Sequence, residues 1–213
     1  MKLLLVSPSH GKKILKAVKL PQLGLHTLAS LTPNDIHINI VDEEIEAIDF
    51  SVEFDLVGIS CMTATANRSY QLSDMFRQRG TRVVLGGIHP SILPHEAIQH
   101  ADAVVIGEAE GSWADVINDF QKKRLKKFYH VPAPDLSKYP LPRRKLHIDK
   151  ALFNCVGLLT TRGCPYTCEF CSVTQLYGRK IRHRPISMIV EDIKQSGSKM
   201  FLILLNSCSF SGA

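Results

Sequence analysis

Five short apolar runs, separated by helical patterns, constrain the fold of residues 1–121 more than any other feature. The runs are rich in Leu, Val and Ile, and they lie at residues 2–7, 37–41, 56–60, 82–85 and 103–106. Short continuous runs of this kind are typical of parallel strands buried on both faces. Helices are predicted between the runs, at about residues 21–31, 66–79, 94–100 and 111–122. Strand–helix alternation predicts an α/β fold with a doubly wound, flavodoxin-like parallel sheet.

The loops that follow these strands are candidates for ligand binding. In a doubly wound sheet, ligands bind beyond the carboxyl ends of the strands. Here those loops read "SPSHG", "SCMTATANR", "GGIHPS" and "GEAEGS", and the G-x-G-x-x-G dinucleotide motif does not follow the first strand. The candidate binding residues are Ser60, Thr63, Gly86, Gly87, Gly107 and Glu108. Tight turns and helix caps are the alternative interpretation of the same loops.

Charge is divided unevenly along the chain. Residues 1–121 carry 9 Lys/Arg and 15 Asp/Glu, whereas residues 122–184 carry 15 and 3. Residues 122–150 are basic and proline-rich, which favours an extended, solvated linker between two domains. A nucleic acid is the alternative partner of the basic region. The basic turn at residues 179–184 is expected to be solvated, or to face an anionic substrate, a nucleic acid or the first domain.

Neither a membrane span nor a signal peptide is expected. No run approaches the roughly 18 apolar residues that a spanning helix needs. The apolar run after Lys2 is short and lacks a cleavage site, so a buried first strand fits it better. We therefore expect a cytoplasmic location.

Three cysteines in one loop indicate metal chemistry. Cys164, Cys168 and Cys171 follow a predicted strand at residues 154–161, and a helix at 185–196 and a strand at 200–205 come next. This order is that of the opening of an α/β barrel. Three thiolates leave one iron of a [4Fe–4S] cluster open. A zinc site with His183 as a weak fourth ligand, and unrelated cysteines, are the alternatives.

The other three cysteines, Cys61, Cys155 and Cys208, are scattered singly along the chain. Cys61 ends an apolar strand and Cys155 begins one, so small buried side chains are expected there.

Two stretches resemble a known family. Residues 1–120 resemble, in "LPQLGLHTLAS", "VGISCMT", "VVLGGIHPS" and "VVIGEAE", the cobalamin (B12)-binding domains that precede radical S-adenosylmethionine (SAM) barrels. The segment "RGCPYTCEFC" resembles the radical SAM signature of cobalamin-linked members. The motif D-x-H-x-x-G is missing, so His10, His26 and His89 are not assigned as cobalt ligands.

The resemblance implies a set of roles for this chain. Cys164, Cys168 and Cys171 would bind a [4Fe–4S] cluster whose open iron chelates SAM. Phe170 would pack near the adenine, with a plain core position as the alternative. Cobalamin would bind residues 1–121, and the electron donor would be a flavodoxin or a ferredoxin.

The implied function is cobalamin-dependent radical SAM chemistry, with C-methyl transfer to a small molecule as one candidate reaction. The alternatives are a non-catalytic cobalamin-binding module and a nucleic-acid-modifying radical SAM protein. The expected organisation is a cobalamin-binding-type domain at 1–121, a linker at 122–150 and the start of a barrel at 151–213. Because a full barrel needs roughly 200 residues or more, we expect a truncated barrel. We also expect residues 1–125 alone to be more soluble than the full 213 residues, because they lack the exposed barrel edge.

Overall fold

The first structural unit is a parallel sheet of six strands in the order β2-β1-β3-β4-β5-β6. The computed structural model describes residues 1–11, 22–146 and 155–206. The strands are β1 (Lys2–Ser7), β2 (His37–Asp42), β3 (Leu56–Ser60), β4 (Arg82–Gly86), β5 (Ala103–Ile106) and β6 (Phe128–His130). The α-helices of this unit are α1 (Leu23–Leu31), α2 (Ala66–Gln78), α3 (Ile88–Ile92), α4 (Pro94–His100) and α5 (Trp113–Gln121).

The strand order confirms the predicted doubly wound α/β fold. The chain runs from β1 to β2 on one side and returns to β3 on the other, so the order reverses at β1. In folds of this type, ligands bind in the crevice outside the carboxyl ends of the strands at such a reversal. The topology therefore directs the search for a site to the carboxyl edge of this sheet.

Each central strand supplies side chains to two cores. Leu3 and Leu5 pack in a core that contains Trp113, whereas Leu4 and Val6 pack in a core that contains Phe76 on the other face. Successive side chains of a strand point to opposite faces. Since both faces are covered, the strand is apolar throughout instead of alternating with polar residues.

The second unit is a sheet of three strands in the order β8-β7-β9. Its strands are β7 (Cys155–Arg162), β8 (Arg182–His183) and β9 (Met200–Asn206), and its helices are α6 (Val173–Tyr177) and α7 (Ile186–Ser196). β7 pairs with β9 in parallel and with β8 in antiparallel orientation. Residues 163–181, named the cysteine loop here, connect β7 to β8 and carry all three clustered cysteines.

Residues 122–146, the described part of the segment between the two units, are packed against both, which corrects the prediction of an extended, solvated linker at 122–150 over those residues. β6 lies in this segment and pairs with β5, and Tyr129, Leu136 and Tyr139 are buried. The backbone N–H of Arg143 donates to the carbonyl oxygen of His26 at 3.1 Å. The lysines at 122, 123, 126, 127, 138 and 145 are exposed as predicted, but apolar side chains between them pack into the protein, and a basic residue can be buried where a carboxylate pairs with it.

One such basic residue is Arg144, which is only 6% exposed. Its Nε and Nη2 donate to the two carboxylate oxygens of Asp192 on α7 at 2.9 Å each. Nη2 also donates to the carbonyl oxygen of Gly157 in β7 at 2.8 Å. Arg144 therefore fixes the connecting segment to the second sheet.

Within the part of the chain that the structure describes, no helix is both long and apolar enough to cross a membrane. The cytoplasmic location stays a prediction.

Candidate cofactor-binding site

A cavity of about 160 Å³ opens at the carboxyl ends of β3, β4 and β5. Its apolar lining comes from both the sheet and the helices above it: Leu25, Leu28, Ile59, Val84, Val105 and Trp113. Among the predicted binding residues, those that line the cavity are Ser60, Gly86, Gly87, Gly107 and Glu108. Thr63 is exposed at the same edge and does not line it. Three of the four loops singled out from the sequence thus meet at one place, whereas no residue of "SPSHG" lines the cavity.

Gly87 shapes the rim of this cavity. Its φ is +108°, and a Cβ atom there would lie 2.6 Å from the carbonyl oxygen of Cys61. The same carbonyl oxygen accepts a hydrogen bond from the backbone N–H of His89 at 3.2 Å. Glycine is required because any side chain would push the β4–α3 turn away from β3.

An ion-pair network forms the wall of the cavity that faces the second unit. Arg162, at the end of β7, donates to Glu108 at 2.6 Å and to Glu110 at 2.5 Å. Arg182, in β8, donates to both carboxylate oxygens of Glu108, to one of them at 3.1 Å. The side chains of Glu108 and Glu110 are only 2% and 7% exposed. Two carboxylates and two guanidinium groups therefore balance each other's charge in a space with little water.

The network also governs the protonation of its members. Burial alone would lower the pKa of Arg162, but the charges and hydrogen bonds of Glu110 and Glu108 raise it instead. Burial, followed by the charges of Glu110 and Glu108, raises the pKa of Tyr139. The Tyr139 hydroxyl and the Nε of Arg162 are buried and have no hydrogen-bond partner in the described structure. The arginine stays charged and the tyrosine stays neutral; of the two residues, Arg162 lines the cavity.

The cysteine loop begins directly beside this wall. Gly163 has a φ of +89°, and a Cβ there would overlap the backbone carbonyl oxygen of Lys180, so the two ends of the loop touch. The backbone N–H of Cys164 donates to the carbonyl oxygen of Gly178 at 3.1 Å. Cys164 is buried, Cys171 is partly exposed and Cys168 is exposed.

Phe170, the predicted adenine contact, is 94% exposed. The alternative that placed it in a plain core position is therefore wrong. A side chain this exposed has no packing role in the chain itself.

Comparison with known proteins places both regions in one family. The sequence profile of the B12 binding domain matches residues 13–117. Bacteriochlorophyllide d C-8(2)-methyltransferase of Chlorobaculum tepidum is 33% identical over 189 residues, which cover 84% of this chain and 42% of that protein. The C-12(1)-methyltransferase of the same organism is 29% identical, covering 91% of this chain and 44% of that protein.

A solved structure has the same fold. The radical SAM methyltransferase TsrM from Kitasatospora setae, with cobalamin and a [4Fe–4S] cluster bound, has a TM-score of 0.67 at 15% identity. The match covers 91% of this chain and 45% of that one. This chain belongs to the family of radical SAM proteins with a B12-binding domain. It spans less than half the length of each of these relatives.

The donor set of the cysteine loop fits the cluster of a radical SAM protein. No group of three or more His, Cys, Asp or Glu side chains converges to hold one metal ion within the residues that the structure describes. In a [4Fe–4S] cluster each thiolate binds a different iron atom, so the three sulfurs need not converge on one point. Three free thiols on one loop, two of them open to solvent, meet that requirement.

Two of the three histidines left unassigned as cobalt ligands, His26 and His89, have structural partners in this radical SAM chain. His89 is hydrogen-bonded to Glu96 at 3.3 Å, and the Nδ1 of His26 lies 3.1 Å from the carbonyl oxygen of Arg143. Cys61 and Cys155 are buried as predicted, whereas Cys208 lies outside the described residues. These contacts agree with leaving the histidines unassigned as cobalt ligands.

Several residues of the site were missed from the sequence. Arg162, Glu110 and Tyr177 line the cavity, although none of them was predicted to do so. Arg182 was expected in a basic turn, and its contact with the first unit is one of the alternatives named for that turn. Arg184 is only 5% exposed, so a solvated position is wrong for it. A local signal existed, because the acidic pair in "GEAEGS" has to be neutralised if it is buried.

Proposed function

We propose that this chain carries the cobalamin-binding and cluster-binding parts of a cobalamin-dependent radical SAM methyltransferase. The observation that carries the proposal is the shared wall: Arg162 and Tyr177, which flank the three cysteines in sequence, line the cavity of the B12-binding unit. A methyl group carried by cobalamin and a radical formed at SAM have to meet at one substrate. A shared wall between the two cofactor regions is the arrangement that this reaction needs.

The cavity takes one flat, apolar part of cobalamin. At about 160 Å³ it is too small for the corrin ring, but it suits a single aromatic group such as the benzimidazole of the nucleotide tail. Its lining by Leu25, Leu28 and Trp113 provides apolar contact, and the glycines at positions 86, 87 and 107 let the backbone approach the ligand. The loops at the carboxyl edge of the sheet would hold the rest of the cofactor.

The cysteine loop takes the second cofactor. Cys164, Cys168 and Cys171 hold three irons of a [4Fe–4S] cluster, and Phe170 is free to contact the adenine of SAM. When bound, the cluster supplies the electron for reductive cleavage of SAM, while cobalamin serves as the methyl carrier. The chain's own residues position these groups and exclude water. The electron comes from a flavodoxin or a ferredoxin.

The substrate is a small molecule. The relatives and the solved structure are named for bacteriochlorophyllide d, for hopanoids and for tryptophan, and all of these are small organic molecules. Arg144, Arg162, Arg182 and Arg184 are mostly buried and hydrogen-bonded inside the protein, so they do not serve a nucleic acid. The lysines at 122, 123, 126 and 127 are exposed, so a nucleic acid stays the alternative partner of that run. Residues 1–121 together with β6 form the B12-binding unit, and residues 151–213 form the opening of the radical SAM barrel.

A cobalamin titration tests this proposal. In the Leu28→Trp variant the indole fills the cavity, so we expect the dissociation constant for hydroxocobalamin, followed by absorbance, to rise at least about tenfold, which is about 1.4 kcal/mol. Leu31→Trp is the matched control, because Leu31 is on the same helix and does not line the cavity. Equal affinities of the two variants would overturn the assignment of the cavity. Cobalamin binding without cluster assembly would favour the non-catalytic binding module.

A further inference from the structure

We propose that Glu108 is a positioning residue that fixes the cysteine loop against the B12-binding unit. The inference rests on the proposed function, since that function gives the loop its cluster. Glu108 lies in the turn after β5, in the first unit, yet both of its carboxylate oxygens accept hydrogen bonds from the second unit. It is thus a point at which the two cofactor regions are joined, and the one that binds both Arg162 and Arg182.

The two arginines that bind Glu108 mark the beginning and the end of the loop. Arg162 and Arg182 lie directly opposite each other in the antiparallel pairing of β7 with β8. Everything between them is the loop that carries the three cysteines. When one carboxylate binds both residues, the two ends of the loop are held at a fixed separation beside the cavity.

Electrostatics explains why a carboxylate is needed at this position. Like charges directly opposite each other in a sheet are destabilising. Arg162 and Arg182 are such a pair, with side chains only 12% and 14% exposed, so solvent screens them little. Glu108 lies between the two guanidinium groups and neutralises their repulsion. Glu110 contacts only Arg162, so it cannot replace Glu108.

The same contacts reach the helix that follows the last cysteine. Arg182 donates to the carbonyl oxygen of Tyr177, the last residue of α6, at 3.1 Å, and to that of Pro134 at 2.8 Å. The guanidinium carbon of Arg162 lies 5.5 Å from the centre of the Tyr177 ring. Glu108 itself is held in place, because the N–H of Gly107 donates to the hydroxyl of Ser91 at 2.9 Å. One carboxylate therefore orders the loop base and α6 together.

Amide hydrogen exchange of the cofactor-free, full 213-residue chain tests this role. In Glu108→Gln, we expect the N–H groups of Cys164 and Gly178, which are hydrogen-bonded in the loop, to exchange at least about ten times faster than in the wild type. The matched control, Glu53→Gln, replaces an exposed glutamate of the first unit and leaves these rates unchanged. Glu110→Gln has a smaller effect, because Glu108 still bridges the two arginines.

A double variant separates charge balance from general loss of structure. Glu108→Gln/Arg182→Gln removes the repelling charge along with the carboxylate, and Glu110 still neutralises Arg162. We expect this variant to exchange more slowly at Cys164 and Gly178 than Glu108→Gln alone. Exchange as fast as, or faster than, that of the single variant would overturn the proposal. Wild-type exchange rates in Glu108→Gln would also overturn it. If Glu108→Gln does not fold, the proposal is overturned when the double variant does not fold either.

Cofactor loading supplies the second readout. After anaerobic reconstitution, Glu108→Gln is expected to retain less than about half the iron of the wild type, whereas the control Glu53→Gln retains all of it. Full iron retention would overturn the positioning role. If the wild type itself binds neither cofactor, the proposed function fails, whereas the exchange experiment still decides whether Glu108 orders the loop.

Discussion

An inner strand of the first sheet, β1, and the edge strand of the second sheet, β9, differ in how far they are covered. In β1 of the six-stranded sheet, Leu3–Val6 are at most 1% exposed. In β9 of the three-stranded sheet, Leu202 and Ile203 are 41% and 59% exposed. Parallel strands are stable when both faces are packed. Helices cover both faces of the first sheet, whereas α7 of the second unit itself exposes Ile186, which is 79% exposed.

This difference shows where each unit obtains its stability. The first unit has two closed cores and does not depend on the second for them. The second unit depends on charged contacts with its surroundings: Arg144 with Asp192 on one side, and Arg162 and Arg182 with Glu108 on the other. The second unit, which is proposed to hold the cluster, therefore depends more than the first on contacts with neighbouring segments.

The largest expected effect is the loss of Arg144. Arg144→Met leaves the buried Asp192 carboxylate unpaired, which costs about 3–5 kcal/mol. We expect the amides of β7 to exchange faster than in the wild type because of this loss, while the exchange rates of the β1 amides are unchanged. The double variant Arg144→Met/Asp192→Leu removes both charges and is expected to recover most of the protection. A double variant as unstable as the single one would show that the ion pair is not the cause.

A smaller effect is expected from truncating one leucine in each sheet. Leu5→Ala removes a fully buried side chain and lowers the free energy of unfolding by about 2–5 kcal/mol. Leu202→Ala changes it by less than about 0.5 kcal/mol, because Leu202 is 41% exposed. Urea unfolding followed by the fluorescence of the only tryptophan, Trp113, together with exchange at β9, measures both. Similar costs at the two positions would break the comparison between the sheets.

Replacing exposed apolar side chains is expected to raise the solubility of the protein only when the side chains belong to the second unit. Replacing Ile186 and Ile203 by Ser removes exposed apolar surface and is expected to raise the solubility limit about twofold or more. The control replaces Met75 and Ile92, which are 37% and 44% exposed in the first unit, and leaves the limit nearly unchanged. Equal gains from both pairs would mean that the second unit has no special apolar face.

The smallest expected effect concerns pH. Desolvation raises the pKa of Asp119, but hydrogen bonds from Tyr129 and Arg124 and the charge of Lys126 outweigh it, so the pKa is lowered. A lowered pKa in the folded state stabilises the fold above the unfolded pKa of about 3.9, and this contribution is lost as the pH falls through the folded pKa. Asp119→Asn should therefore have a lower urea midpoint than the wild type at pH 7, and the difference between the two midpoints should be smaller at pH 3. A constant difference would contradict this.

Much of the first unit was predictable because its signals are local. The five predicted strands of the first unit are confirmed, and the predicted helices are found within two residues of their expected bounds over the described residues. β6 was missed because a three-residue strand carries no periodic pattern. α3 was missed for the same reason, being five residues long with Pro90 inside it. Element length thus set the limit of prediction.

The site was predictable only where loop position decides it. The glycines at 86, 87 and 107 were identified because turns at the carboxyl edge of a parallel sheet face ligands. The partners of Glu108 lie 54 and 74 residues away in the chain, so no local pattern links them. The burial of Arg144 likewise depends on Asp192, which is 48 residues away. Long-range ion pairs are the part of this site that only the structure gives.

The most direct test of the central claim is electron paramagnetic resonance of the reduced, anaerobically reconstituted chain, with and without SAM. We predict a [4Fe–4S] signal that changes when SAM is added, that is lost in Cys168→Ala and that is kept in Cys155→Ala, whose cysteine is buried in β7. No cluster signal, or one that Cys168→Ala leaves intact, would contradict the assignment of the cysteine loop. A signal that SAM leaves unchanged would contradict SAM binding at the open iron.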